Sequence, residues 1–271
     1  MVKRRIPYFS LAQICRSGQC FRMYEKSQGC FYVIAGDRRL EMEQEKDVCT
    51  FYCGEAQFHG FWEKYFDLEC NYGEYIGKIN PRDTYLVKAA DAGQGIRILR
   101  QDLWEMTVSF LISQQNNIAR IRRCVENICQ AYGEERQDAS GENYYGFPSP
   151  GSLAVLDEDA LMACNLGYRS RYVVRAARAV VSGALDLEQV KKMPYKKARG
   201  ELLKLFGVGE KVADCICLFA LHHLDAFPVD THIHQALEKH YKRGFPNRRY
   251  RGIRGVVQQY MFYYETIESL Q

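Results

Sequence analysis

The sequence contains no C-x-x-C pair, and no cysteine follows Cys217. The first absence removes zinc fingers and dithiol redox motifs, which set their ligands at that spacing. The second removes any cysteine-ligated cluster from the C-terminal part of the chain. Long apolar runs are also missing. The longest, CICLFAL, is far too short to cross a bilayer. The N-terminus, MVKRRIPYFSLAQICRSGQC, has basic residues but not the continuous apolar stretch of a secretory signal. Neither sign of charge dominates: 37 Lys and Arg face 33 Asp and Glu, a net charge of +4. That balance is too weak to establish a polyanionic partner by itself. Internal repeats and low-complexity tracts are absent as well.

The 271 residues are 47% hydrophobic, enough for one large or two modest domains with a substantial core. Eleven cysteines, an odd number, in a chain without an export signal imply reduced thiols. An intracellular protein is expected, in the cytoplasm or nucleoid of a prokaryote or the nucleus of a eukaryote, with no membrane contact.

Two patterns divide the chain. In residues 1–95, CFYVIAGDRRLEMEQEKDVCTFYCGE has aromatic and β-branched runs, a Gly36-Asp37 turn and alternation in LEMEQ. These features predict antiparallel strands joined by hairpins. FHGFWEKYFDLE predicts a short helix, and Asn80-Pro81-Arg82-Asp83 a turn or helix start. Residues 96–271 carry helical periodicity. Helices are expected on both sides of Ser113–Asn117, on both sides of Gly167, in a pair around residue 207, after Asp230, and at the C-terminus. The stretch 133–152, rich in Gly, Ser, Asn and Pro, reads as a loop. The fold class expected is α+β: a β-rich domain followed by an all-α domain.

The pair around residue 207 is the most informative. L-x-x-L-F-G-V-G-x-K places Gly207 and Gly209 in a tight turn between two helices. The free amides at the start of the second helix then form an anion site suited to a phosphate. This hairpin is either a grip on a nucleic-acid backbone or a plain helical corner with a solvated lysine. Lys211 lies where a cation is unfavourable by a few tenths of a kcal/mol. Local stability does not call for it, and the same field favours the neutral, nucleophilic amine. Downstream, Phe227-Pro228-Val229-Asp230 leads into a helix that Asp230 is placed to cap. Asp214, one helical turn from Lys211, has no evident role.

GVGEKVADCICLFAL followed by PVDTH resembles the helix-hairpin-helix/Gly-Pro-Asp superfamily of DNA glycosylases. Within it, the match is to the 8-oxoguanine DNA glycosylase/lyase family. The resemblance implies a bifunctional N-glycosylase and AP lyase acting on duplex DNA that contains 8-oxoguanine. Lys211 would be the nucleophile on the deoxyribose C1′, forming a Schiff base followed by β-elimination. Asp230 would stabilise the developing oxocarbenium charge.

Other blocks extend the resemblance. Gln115, Asn116, Asn117 and Arg120 lie in SQQNNIAR, which is similar to the family's Asn-Asn-Asn-Ile-Ala-Arg stretch, with Gln115 replacing the first Asn. They would face the orphaned base. Tyr168 and Arg169, in NLGYRSRY, would be the wedge and a contact to that base. Independently of the family, Arg171, Arg175 and Arg178 share one helical face. That stripe is either solvated or turned to phosphate. Gly18, in RSGQCFR, would sense the lesion through its carbonyl. N7 carries a hydrogen in 8-oxoguanine and is an acceptor in guanine. Gln258 would read the Watson–Crick edge. Phe262 and Cys215 would stack on the two faces of the base, and His232 would contact a phosphate.

Endonuclease III and its adenine-specific relatives carry four cysteines after the aspartate, and this chain has none there. Alkylpurine glycosylases lack the lysine. A non-enzymatic hairpin protein would leave Lys211, Asp230 and Gly18 without purpose. The resemblance implies no metal and no organic cofactor, with a structural monovalent cation at the hairpin carbonyls left open. It also implies a monomer of the compact bacterial or archaeal kind. The basic tract from Lys242 to Arg254 is either a further phosphate contact or a solvated surface.

Overall fold

The computed structural model describes residues 1–138 and 140–268. Its N-terminal part is a five-stranded antiparallel sheet: β1 (Val2–Arg5), β2 (Met23–Ser27), β3 (Cys30–Ala35), β4 (Arg38–Glu45) and β5 (Val48–Phe51), in the order β1-β5-β4-β3-β2. The Gly36-Asp37 turn joins β3 to β4, with Ala35 opposite Arg38, and Gly36 takes the positive φ that a tight turn requires. Along β4, Leu40 and Met42 are buried while Glu41 and Glu43 face outward, as period-two alternation demands. The buried face packs on aromatic side chains of the helical stretch 55–65 and Phe66, with Phe51 tilted against Phe58 and Phe66.

The helical part holds the functional elements. Leu103–Ile112 and Ile118–Tyr132 flank 113–117, and Arg169–Val181 follows Gly167. Tyr195–Leu202 and Glu210–Phe219 flank the glycine turn, Thr231–His240 follows Asp230, and Arg254–Glu268 ends the described chain. The last helix starts later than its sequence pattern suggests, because 249–253 is a turn. The last residues of that pattern, 269–271, lie outside the described residues. No helix among the described residues is long and apolar enough to cross a membrane.

Two readings need correction. The stretch 133–152 is not all loop. Glu135–Gln137 and Asn143–Tyr145 form a small hairpin, and Pro150–Ala154 is a short helix capped by Ser149. Its polar, Gly- and Ser-rich composition conceals strands whose partner is local. Arg39 holds this hairpin to the sheet through Asp138 and Glu142, and Lys26 pairs with Glu41 and Glu142. The change of pattern near residue 95 also differs from the packing. Tyr72, Ile79, Tyr85 and Leu86 belong to the helical core. Within that core Gly93 lies against Tyr260 of the C-terminal helix.

The seam between the two parts is polar. Arg22 is wholly buried, donating from Nε to Glu126 (3.0 Å) and from Nη2 to the Tyr145 carbonyl (2.6 Å). Glu105 accepts from the Gly36 amide at 2.9 Å, and burial pushes its carboxyl up to about 7 against the opposing field of Arg22. Gln19, also fully buried, donates to the Arg97 carbonyl and accepts from the Leu99 amide, both at 2.9 Å. These bonds fix the neighbouring Gly18 relative to the helices.

Candidate active site

The glycine turn is built as its sequence suggests, with one addition. Gly207 has φ of +87°, and a Cβ there would sit 2.6 Å from the Tyr172 ring. That ring is boxed by Tyr168 (5.6 Å) and Phe206 (5.3 Å), both edge-on. Gly207→Ala should therefore cost at least about 2 kcal/mol, from the left-handed backbone and the clash together. Denaturant melts of the variant check this, and unchanged stability would contradict the packing described. Gly209 starts the helix Glu210–Phe219 without a side-chain cap, so its first-turn amides are not taken by any capping side chain. The Gly207 carbonyl already accepts from Gln114 Nε2 at 2.9 Å.

Asp214 has a structural role that its own sequence surroundings did not disclose. It accepts from Tyr195 Oη (2.6 Å) and Arg199 Nε (2.8 Å), stapling the two hairpin helices together. This fixes the helix that carries Lys211.

Lys211 opens into a cavity of about 370 Å³. Gly18, Asn116, Asn117, Cys215, Asp230, His232, Gln258 and Phe262 line the same cavity. Nine of the fifteen sequence-selected residues, drawn from five separate chain segments, thus converge on one space. Lys211 Nζ stands 5.4 Å from the centre of the Phe110 ring. Phe110 stacks on Phe219 and meets Phe21 edge-on, so this wall is apolar. Cys215 is buried, and burial pushes its thiol up to about 11 against the nearby Lys211 cation. It is a neutral wall at physiological pH, not a nucleophile.

Asp230 caps Thr231–His240, with Oδ1 accepting from the Ile233 amide at 2.9 Å. The cap fixes the carboxylate and leaves Oδ2 outside that bond. Gly18 has φ of +73°, and a Cβ on it would meet Phe262 Cε1 at 3.0 Å. Only glycine allows that loop to lie so close to the ring. Phe262 in turn meets His232 edge-on at 6.0 Å. Gln258, 3% exposed, donates from Nε2 to the Pro228 carbonyl at 3.1 Å.

The residues expected to face the orphaned base lie around the cavity's rim or beside it. Gln115 is exposed, in a left-handed conformation with φ of +47°. Asn117 caps Ile118–Tyr132 through the Arg120 amide (2.9 Å), and Asn116 donates to the Ile112 carbonyl (3.1 Å). Arg120 is exposed on the first turn of that helix, and Tyr168 is 44% exposed. Arg169 is placed otherwise than expected. It is 4% exposed, and its guanidinium donates to the carbonyls of Gln114 and Gln115. In this structure it shapes the turn that carries Gln115 and does not present its charge outward. Of the stripe of Arg171, Arg175 and Arg178, the last two are likewise occupied, by Glu158 and by the carbonyls of Ala154 and Leu156, while Arg171 stays exposed, 4.0 Å from Asp159.

Sequence reasoning passed over Gln114, Tyr172, Phe206 and Gln259. Phe206 was legible in principle as an exposed aromatic inside a turn. The other three take their meaning from neighbours distant in sequence.

Comparison with known proteins agrees with this architecture. Residues 2–107 match the family model described as 8-oxoguanine DNA glycosylase, N-terminal domain. Residues 108–259 match that of the HhH-GPD superfamily base excision DNA repair protein. The chain is 30% identical over 258 residues to the N-glycosylase/DNA lyase of Saccharomyces cerevisiae, covering 86% of this chain and 68% of that one. It is 34% identical over 175 residues to an Arabidopsis thaliana N-glycosylase/DNA lyase, 63% of this chain and 48% of the relative. Among solved structures it superposes on the Clostridium acetobutylicum 8-oxoguanine glycosylase/lyase, crystallised with DNA containing cytosine opposite 8-oxoguanine. That match has a TM-score of 0.93 at 35% identity and covers 98% of this chain and 94% of the other. The chain belongs to the HhH-GPD superfamily of base excision DNA repair proteins and, within it, to the 8-oxoguanine DNA glycosylase family.

Proposed function

We propose that this protein excises 8-oxoguanine from duplex DNA and then cleaves the strand, with Lys211 as the nucleophile. The observation that carries the reading is the shared cavity. Lys211, Asp230, Gly18 and Gln258 lie far apart in sequence and line one space. Its size falls within the range of small-molecule sites, about 300–1,000 Å³.

The target base leaves the stack and enters the cavity, the step any enzyme working on a duplex base must take. Phe262 and Cys215 bracket its faces, and the Gly18 carbonyl accepts the N7 hydrogen. Lys211 attacks C1′ as the C1′–N9 bond breaks, and the departing base takes the bonding electrons and a proton. The Asp230 carboxylate stabilises the positive charge that develops on the sugar. Ring opening gives an imine between Lys211 and C1′, and loss of a C2′ proton expels the 3′ phosphate. Tyr168 and the Gln115–Asn117 turn occupy the gap left in the duplex. No metal or redox cofactor takes part in these steps. One chain carries every residue assigned, so the reading needs no second copy, and it places the protein with its DNA substrate inside the cell. The direct test is base release and strand nicking on matched duplexes holding 8-oxoguanine or guanine. Turnover of the lesion only is expected, and no turnover of either would overturn the reading.

The basic tract takes part in holding the duplex. Between residues 239 and 264 there is no acidic residue, and Lys242, Arg243, Arg248, Arg249 and Arg251 are exposed. The tract is anchored beside the segment leading to Asp230, with the Phe245 ring tilted against Phe227 (4.9 Å between centres) and the Gly252 amide donating to Asp225. Replacing Arg248, Arg249 and Arg251 by alanine should flatten the plot of log K against log salt by about 2 to 3. An unchanged slope would assign the tract to plain solvated surface.

A further inference from the structure

Resting on that reading, we propose that Gln259 is a second reader of the flipped base, its carboxamide oxygen accepting a hydrogen bond from the 2-amino group of 8-oxoguanine. Gln258 and Gln259 line the same cavity, and each is 3% exposed. Their hydrogen bonds fix both amides. The Pro228 carbonyl can only accept, so the atom of Gln258 that meets it at 3.1 Å is Nε2. Gln258 Oε1 is thereby set, and it accepts from Gln259 Nε2 at 3.1 Å. What remains is Gln259 Oε1, which is buried and has no hydrogen-bond partner.

Buried polar atoms are rarely left unpaired, and a desolvated acceptor is a penalty until a donor arrives. Among the described residues, several buried side-chain polar atoms lack a partner, but only that of Gln259 belongs to a residue lining this cavity. The Watson–Crick edge of 8-oxoguanine carries three N–H hydrogens, one on N1 and two on the 2-amino group. Three acceptors belong to residues lining this wall: the Pro228 carbonyl, Gln258 Oε1 and Gln259 Oε1. The first two already hold one hydrogen bond each, and the third holds none. An amino group needs two acceptors side by side, and the adjacent carboxamides supply the pair.

The test is single-turnover excision from duplexes containing 8-oxoguanine or 8-oxohypoxanthine, which differ only in the 2-amino group. The native protein should act on 8-oxoguanine about tenfold faster or more, the worth of one buried hydrogen bond. Gln259→Met should lose about that factor on 8-oxoguanine and little on 8-oxohypoxanthine, so the preference collapses. Gln259→Asn keeps a carboxamide with both its donor and its acceptor and should retain more of the preference than the methionine variant, which also provides a second reading if that variant fails to fold. Equal losses of Gln259→Met on both substrates would overturn the inference and leave Gln259 as a prop for Gln258. So would a native protein that treats the two lesions alike. A native protein that excises neither lesion would overturn the parent reading first.

Discussion

Lys211→Gln should give no borohydride-trapped adduct with an 8-oxoguanine duplex and should slow base release by at least about a thousandfold. The adduct requires a primary amine at the reacting carbon, and glutamine has none. Glutamine nevertheless keeps much of the lysine's length, and Lys211 makes no ion pair among the described residues. The helix it stands on is fixed by Asp214 with Tyr195 and Arg199. The variant should therefore fold normally and still bind the lesion duplex. Strand cleavage should vanish together with the adduct, because β-elimination runs through the imine. Single-turnover kinetics beside trapping measure both. An adduct that persists in the variant would place the nucleophile elsewhere.

Asp230→Asn should lower the rate of base release by about a thousandfold, the scale on which a positioned group stabilises developing charge. Its stability should change little. Asp230 caps its helix through Oδ1, and asparagine is an equally good N-cap. The substitution thus separates the cap from the charge. Asp230→Ala removes both, and should add about 1 kcal/mol of destabilisation to the same kinetic defect. A comparison of the two variants by melts and by single-turnover rates decides the matter. If Asp230→Asn stays fully active, the capping bond accounts for the residue and the charge does not.

These residues were legible in the sequence because chemistry restricts them. A lysine at a helix N-terminus works against the local field, and an aspartate after proline can only be explained by a cap, by a charge role or by both. The strands around Gly36-Asp37 were legible because alternation and turn chemistry are local. What stayed hidden depends on neighbours distant in the chain. Asp214 is explained by Tyr195 and Arg199 on the other hairpin helix. Arg169 follows an exposed tyrosine, yet its guanidinium turns inward to the Gln114 and Gln115 carbonyls. No periodicity distinguishes that from an outward arginine. The strands within 135–145 were masked by a composition that usually marks loops. Gln259 looked like one more polar residue on an amphipathic helix, and only the bond network around Gln258 shows that its oxygen is unpaired.

The central claim is that one lysine both displaces the damaged base and carries the cleaved strand. Mass-spectrometric mapping of the borohydride-reduced complex with an 8-oxoguanine duplex tests it most directly. The sugar remnant should be found on the peptide containing Lys211, in a reaction that also releases free 8-oxoguanine. Base release without any trapped peptide, or a remnant on a different amine, would contradict it.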